Sequence, residues 1–394
     1  MVSINHLIIF WLIFDIPYLT WRIVLYLLHF DKVRKMGHPL VTVLVPAYNE
    51  ELCIKKTLQS LLVQSYSNLE IIVINDGSTD RTKEKVNEFL REHEKEINKK
   101  RRKSNWEFIF IDQKNTGKAG AMNKGLSKSQ GEFITSIDAD SYLSRSSIES
   151  ILKYFDKDNV GAVAGNIKGI SHNKFIGYLQ TVEYELGVNI FRRAQATLGN
   201  VMVTPGAFSC YRRKALKKFE DGTVTEDFDT SIRILERGYK IVTASDAYAF
   251  TQVPLSYSDL IKQRVRWQQG GLEVFAKHLF HSKRFLVKLE WVFTFFYTFY
   301  GTFTKVLSFL IIPFIVIDKE LILPALAIFY GYTIIINTIL FSLVYSKIRD
   351  IKVFLLIPIY SLYFYTVILY STFVGQLVAM QNKKKWEKLK RYHM

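Results

Sequence analysis

Only two cysteines, Cys53 and Cys210, occur in 394 residues, and neither sits in a metal-ligand spacing. That scarcity excludes a disulfide framework and a thiolate zinc site. Both thiols read as packed side chains in a reducing compartment. No Gly-x-Gly-x-x-Gly follows the first strand-like run, which sets aside the usual dinucleotide fold. The opening apolar stretch has neither a basic n-region nor a small-residue cleavage site, so a cleaved signal peptide is not indicated. A nucleic-acid-binding motif is also missing. The chain nevertheless carries 53 Lys and Arg against 36 Asp and Glu, a formal net charge of +17. Basic runs beside apolar segments account for that excess, which suits an anionic membrane surface rather than a nucleic-acid partner.

What is present in quantity is apolar surface, 49% of residues, concentrated toward the two ends. Residues 6–30 form a run long enough to span a bilayer. Lys32, Arg34 and Lys35 follow it and place the next segment on the cytoplasmic side. Asp15 and Arg22 inside the run are costly in lipid and are expected to face protein. Residues 291–317, 321–345 and 354–380 are three further candidate spans. The tail, 382–394, is strongly basic and expected to be cytoplasmic. Three crossings after residue 290 would put it outside, so a re-entrant last segment near Pro358 and a broken charge rule both stay open.

Between the apolar ends, strand-like runs alternate with helical ones: 41–45, 69–74, 108–111 and 133–137, each followed by a helix. This spacing predicts an α/β domain with a mainly parallel, doubly wound sheet. Further strands are expected at 161–165 and 201–204, with a long helix over 174–197. The charged run 91–103 reads as a solvated helix end.

Acids stand at successive strand ends: Glu50, then Asp76, then Asp138 and Asp140. Ligands of open α/β sheets bind outside the carboxyl ends of the strands. In extended geometry Asp138 and Asp140 lean to one face, and two hard oxygens suit Mg²⁺ or Mn²⁺ on a diphosphate. The alternative is that Asp140 or Ser141 caps the helix that follows. Lys118, at a helix N-terminus that favours anions, is the candidate phosphate cation. Thr225-Glu226-Asp227 precedes a helix and admits two readings, an N-terminal cap or a general base at Asp227. Helical spacing puts Gln263, Arg266 and Trp267 on one face of an amphipathic helix over 256–280 suited to a membrane interface. A purely anchoring role for them is the competing reading.

Five segments in this order carry a resemblance: Pro46-Ala-Tyr-Asn-Glu50, Asn75-Asp-Gly-Ser78, Asp138-Ala-Asp140, Thr225-Glu-Asp227 and Gln263-Arg-Val-Arg-Trp267. The chain resembles the membrane-embedded processive glycosyltransferases of family 2, which include the poly-N-acetylglucosamine, chitin-oligosaccharide, hyaluronan and cellulose synthases. The resemblance implies a GT-A nucleotide-sugar-binding domain flanked by transmembrane helices. It assigns Asp76 to the uridine with Glu50 close by, and Lys118 to the diphosphate. Asp138 and Asp140 serve the diphosphate and its Mg or Mn ion, with Asp140 the more direct ligand. Asp227 is the base, and Glu226, Gln263, Arg266 and Trp267 serve acceptor and diphosphate. The compact Thr-Glu-Asp form looks like that of the poly-N-acetylglucosamine and cellulose-type enzymes, and the resemblance as a whole implies a β-linked N-acetylglucosamine polymer made by inversion from a UDP-sugar.

The expected organisation is an N-terminal span (1–30), a cytoplasmic GT-A domain (38–255), interfacial amphipathic helices (256–290), a membrane region (291–381) and a basic tail (382–394). Expected partners are the UDP-sugar donor, the growing glycan, the lipid bilayer of the plasma membrane and an accessory membrane or export subunit. Aromatics from Trp291 to Tyr300 fit either a glycan path or an interfacial belt. Alternative functions are transfer of a single sugar to a lipid or glycan acceptor, a hyaluronan- or β-glucan-type synthase, and a scaffold with a degenerate domain. The full set of acids argues against the last.

Overall fold

The computed structural model describes residues 16–278, 285–301, 322–348, 355–381 and 390–394. It divides into two compact units. An α/β unit holds Phe30–Ile170, Gln195–Val253 and Leu389–Met394; a helical unit holds Met1–His29, Ser171–Ala194 and Pro254–Lys388.

The α/β unit is built on one sheet of eight strands: β1 (Val41–Ala47), β2 (Leu69–Asp76), β3 (Glu107–Gln113), β4 (Phe133–Ser136), β5 (Ser141–Leu143), β6 (Val160–Ile170), β7 (Ser209–Arg212) and β8 (Lys240–Gln252), in the order β3-β2-β1-β4-β7-β6-β8-β5. The first four strands in that order run parallel. Every residue of β2 is buried, the near-continuous apolar run expected of a parallel strand covered on both faces. Val43, Val45, Ile71, Val73 and Phe133 share one core with Leu58, Leu61, Val86 and Phe89 of the adjoining helices.

Beyond β4 the expectation of a mainly parallel sheet does not hold. β7 is antiparallel to β4 and to β6, β8 is parallel to β6, and β5 closes the edge antiparallel to β8. The sheet is mixed, and its parallel half is the half that the alternating pattern describes. The strand expected at 201–204 is irregular chain, with an isolated bridge from the adjoining Asn200 to Ile241. The Thr204 N–H donates instead to Ser231 Oγ, 27 positions later, at 2.9 Å, and Pro205 has no N–H to give. The helix expected over 174–197 forms as Phe175–Leu186, a π-helical turn at Gly187–Arg192 and Arg193–Thr197.

Cys210 is fully buried, and burial pushes its thiol up to about 12, so it is an inert packed side chain at neutral pH. Residues 94–103 form a mostly exposed helix with a basic last turn.

In the helical unit, Leu179, Val182, Leu186, Leu260, Phe341, Tyr360 and Tyr363 form one apolar cluster. Arg264 is buried within the unit and binds Glu183 in bidentate fashion, at 3.0 and 2.8 Å, while Tyr363 Oη donates to the same carboxylate at 2.9 Å. Arg22, within the first apolar run, is fully buried and pairs with Glu290 and with Thr294 Oγ1. It faces protein, as expected of a charged side chain inside an apolar run. Asp15 lies outside the described residues, as do 6–15 of the first expected span and 302–317 of the second. Among the described residues, one helix, Ile357–Met380, is long and apolar enough to cross a membrane, and Tyr330–Leu343 is a shorter apolar helix.

Candidate active site

The loops after β1 and β2 are stitched together by side chains. Asn49 adopts φ 54°, a left-handed conformation that asparagine tolerates better than most residues. From there its Oδ1 accepts from the Thr79 N–H at 2.7 Å and the Asp80 N–H at 3.3 Å. The Asn49 N–H donates to Ser78 Oγ at 2.9 Å, and the Glu50 N–H to Thr82 Oγ1 at 2.7 Å. The Ala-Tyr-Asn-Glu and Asn-Asp-Gly-Ser segments are therefore one interlocked structure.

Asp76 ends β2 and is buried. Its Oδ1 accepts from Gln113 Nε2 at 2.8 Å, the Thr116 N–H at 2.9 Å and Thr116 Oγ1 at 3.0 Å. Three donors on one oxygen fix the carboxylate at the sheet edge. Gly77 follows at φ 71°, and a Cβ there would lie 2.6 Å from the Asn115 nitrogen, so a side chain is excluded twice over.

Asp138 and Asp140 do not lie in extended chain. β4 ends at Ser136, and the two acids flank a turn closed by the Ser141 N–H to the Asp138 carbonyl at 3.0 Å. The geometry expected of a strand end is thereby corrected, and each acid reaches a different cation. Asp138 Oδ1 is 2.7 Å from Lys118 Nζ, which also lies 2.9 Å from Glu226 Oε1. Lys118 sits in the first turn of the helix Gly117–Lys128. Burial works against its charge, but Asp138, Glu226 and Asp227 outweigh burial and hold the ammonium well above the usual lysine range.

Asp227 lies in the first turn of the helix Glu226–Glu236. Its Oδ2 accepts the Gly206 N–H at 3.2 Å and its Oδ1 the Phe228 N–H at 2.8 Å. Burial, then the neighbouring Glu226, push its carboxyl up to about 6 against the opposing pull of Lys118. A carboxylate set near neutrality beside a fixed cation is a group that can exchange a proton at working pH.

Asp140 and Glu50 form a second cluster within the same unit. Arg391 Nη2 is 2.8 Å from Asp140 Oδ2, and Arg391 Nε donates to both Glu50 oxygens at 3.1 and 3.2 Å. Burial works against the guanidinium, but Asp140 and Glu50 raise its pKa further still. No cluster of three His, Cys, Asp or Glu suited to an ion occurs among the described residues. Asp138 and Asp140 supply hard oxygens, and Asp140 already holds a positive group. Carboxylate oxygens are the donor type that suits a divalent cation whose shell is completed by diphosphate oxygens and water, and in this structure the two acids are engaged by different side-chain cations.

Gln263, Arg266 and Trp267 all lie on the helix Tyr257–His278 of the helical unit. Its organising residue is Arg264, which donates to Gln263 Oε1 and stacks over the Trp267 ring at 4.1 Å. Burial and the Glu183 pair make Arg264 a structural anchor.

Two further residues of this region, Gly206 and Arg391, carry little signal in the sequence. Gly206 packs so closely that a Cβ would lie 2.4 Å from Lys118 Nζ and 3.4 Å from both Asp138 carboxylate oxygens; the Pro-Gly dipeptide was its only signal. Arg391 had none, being one cation in a basic tail.

A model of the family described as Glycosyl transferase family 2 matches residues 42–219, and one described as Glycosyl transferase family group 2 matches residues 133–378. The chain is 32% identical over 249 residues to a poly-β-1,6-N-acetyl-D-glucosamine synthase of Staphylococcus aureus, covering 62% of this chain and 57% of that one. It is 32% identical over 242 residues to the enzyme of the same name from Staphylococcus epidermidis, covering 60% and 56%. The match thus spans a little over half the length of these relatives. Among solved structures, the mannosyltransferase PcManGT from Pyrobaculum calidifontis, in complex with GDP-Man and Mn²⁺, superposes with a TM-score of 0.64 at 18% identity, over 93% of this chain and 97% of that one. That likeness establishes the GT-A fold. With a family model over more than half of its length and the sheet-edge acids in their expected order, the chain is a glycosyltransferase and belongs to family 2.

Proposed function

We propose that the protein transfers N-acetylglucosamine from a UDP-sugar to a growing β-linked polysaccharide, processively and by inversion, coupled to export across the membrane. The observation that carries this reading is Asp227, a carboxylate raised to about 6 and held beside the Lys118–Asp138–Glu226 cluster. The identity to poly-β-1,6-N-acetyl-D-glucosamine synthases supports the choice of sugar.

Asp227 is ionised at neutral pH and takes the proton of the acceptor hydroxyl as that oxygen attacks the anomeric carbon. The two backbone N–H groups on its oxygens hold the acceptor-side oxygen pair in one orientation. Asp76 fixes the uridine, Glu50 lies beside it, and Lys118 offers positive charge to the diphosphate as it leaves. A Mg²⁺ or Mn²⁺ ion on Asp140 and Asp138 would supply Lewis-acid neutralisation of that leaving group. Glu226, Gln263, Arg266 and Trp267 serve acceptor and diphosphate. A single displacement needs only one catalytic carboxylate, unlike the pair of a glycosidase.

We assign residues 38–255 to a cytoplasmic catalytic domain of a multi-pass plasma-membrane protein, with spans at 6–30 and within 291–380. The chain leaves the α/β unit at Val253 and rejoins it with its last residues. We infer an even number of crossings after residue 290 from the basic tail, with one C-terminal apolar segment turning back. The tail is then on the catalytic side, as its charge requires. An accessory export subunit remains part of the proposal.

The test is incorporation by the purified protein in nanodiscs with Mn²⁺, offered UDP-GlcNAc, UDP-glucose and UDP-glucuronate singly and together, with products sized. A ladder of polymers from UDP-GlcNAc alone is expected. Polymer that requires glucuronate would make it a hyaluronan-type enzyme, and a single added sugar would remove processivity.

A further inference from the structure

The last residues of the chain are received by the α/β unit in a built site. Gln252, buried at the end of β8, donates through Nε2 to the Tyr392 carbonyl, and its Oε1 accepts the Tyr392 N–H at 3.0 Å. One side-chain amide thus reads both polar groups of one backbone residue. Cys53 Sγ lies 3.6 Å from the same carbonyl. The neighbouring Arg391 bridges Glu50 and Asp140, two acids buried to 6% exposure. Charge-assisted bonds to two carboxylates, with a paired backbone residue beside them, make a specific seat.

We propose that the C-terminal residues 390–394 act as a detachable strap which holds the cation position on Asp140 closed, so that Arg391 and a divalent cation compete for the same carboxylate. This rests on the donor-site reading of Asp140 given above. Arg391 already occupies Asp140 Oδ2, and a metal ion placed on that oxygen would face a guanidinium at contact distance. The strap must therefore leave before the ion is held. Because residues 390–394 carry neither helix nor strand, their release costs no rearrangement of the sheet. The apparent affinity for the ion is reduced by the fraction of molecules with the strap seated. A strap seated in about nine molecules of ten lowers that affinity about ten-fold.

The experiment is a Mn²⁺ titration without nucleotide, followed by electron paramagnetic resonance, on the full chain in detergent. Wild type, Arg391→Ala, Arg391→Lys and the Arg391→Ala/Asp140→Asn double variant are compared, and circular dichroism checks folding. Arg391→Ala is expected to bind Mn²⁺ about ten-fold more tightly than wild type, Arg391→Lys to stay near wild type, and the double variant to lose the gain. Equal or weaker binding by folded Arg391→Ala, with Mn²⁺ still lost on the Asp140 change, overturns the strap and leaves the donor site standing. Binding that ignores Asp140 in every variant overturns the donor-site reading and the strap with it.

Discussion

Two ion clusters in the α/β unit use the same chemistry with different connectivity. In one, Lys118 joins Asp138 and Glu226 beside Asp227; in the other, Arg391 joins Glu50 and Asp140. Lys118 is fixed in the first turn of a helix packed on β1 and β2, so its charge is part of the scaffold. Arg391 comes from the end of the chain, 341 positions from Glu50, and is held by its own contacts and those of Tyr392. A cation supplied by the scaffold preorganises a site, since it costs no reorganisation when charge develops. One supplied by an irregular segment, held by contacts of Arg391 and Tyr392, can be exchanged.

The comparison breaks most sharply at Lys118. Lys118→Met leaves Asp138, Glu226 and Asp227 without their shared counter-charge, and transfer is expected to fall about 100- to 1,000-fold, measured as initial rate at saturating donor. A smaller loss arises at Gly206→Ala, where the added Cβ meets Lys118 Nζ. Displacing a catalytic group by about an ångström costs up to about 100-fold. That loss should appear in kcat with little change in KM for the donor. Arg391→Ala is the smallest disturbance of catalysis, and its effect is read in Mn²⁺ affinity instead.

The parts legible in the sequence are those set by local pattern. The strands β1, β2 and β4 announce themselves as apolar runs leading to acids, and burial on both faces makes such runs continuous. Asn49, Glu50, Asp76 and Asp227 stand where their motifs put them because turn and helix-start chemistry is local. The mixed half of the sheet was not legible, since the direction in which β7 enters between β4 and β6 depends on long connections rather than on its four residues. Val201 to Thr204 looked like a strand, but Ser231 on a later helix took the Thr204 N–H. Arg391 was invisible for the same reason: its partners are distant in sequence, and a basic tail has many equivalent cations. The anchoring role of Arg264 was equally illegible, because its partner Glu183 lies 81 positions away.

The measurement closest to the central claim is transfer by wild type and Asp227→Asn across pH 5 to 9, with UDP binding followed in parallel. The raised carboxyl of Asp227 has to lose its proton to act, so wild-type kcat should climb as pH rises through about 6 and level off above it. Stability should move the opposite way. The folded state binds that proton more tightly than the unfolded one, so folding loses free energy as pH rises from the ordinary carboxylate range through about 6. Asp227→Asn should bind UDP as wild type does, show no acid limb in stability from this group, and lose transfer by about 100- to 10,000-fold at every pH. Polymer made by Asp227→Asn at near wild-type rate, or a wild-type rate that is flat through pH 6, would contradict the assignment of Asp227 as the base.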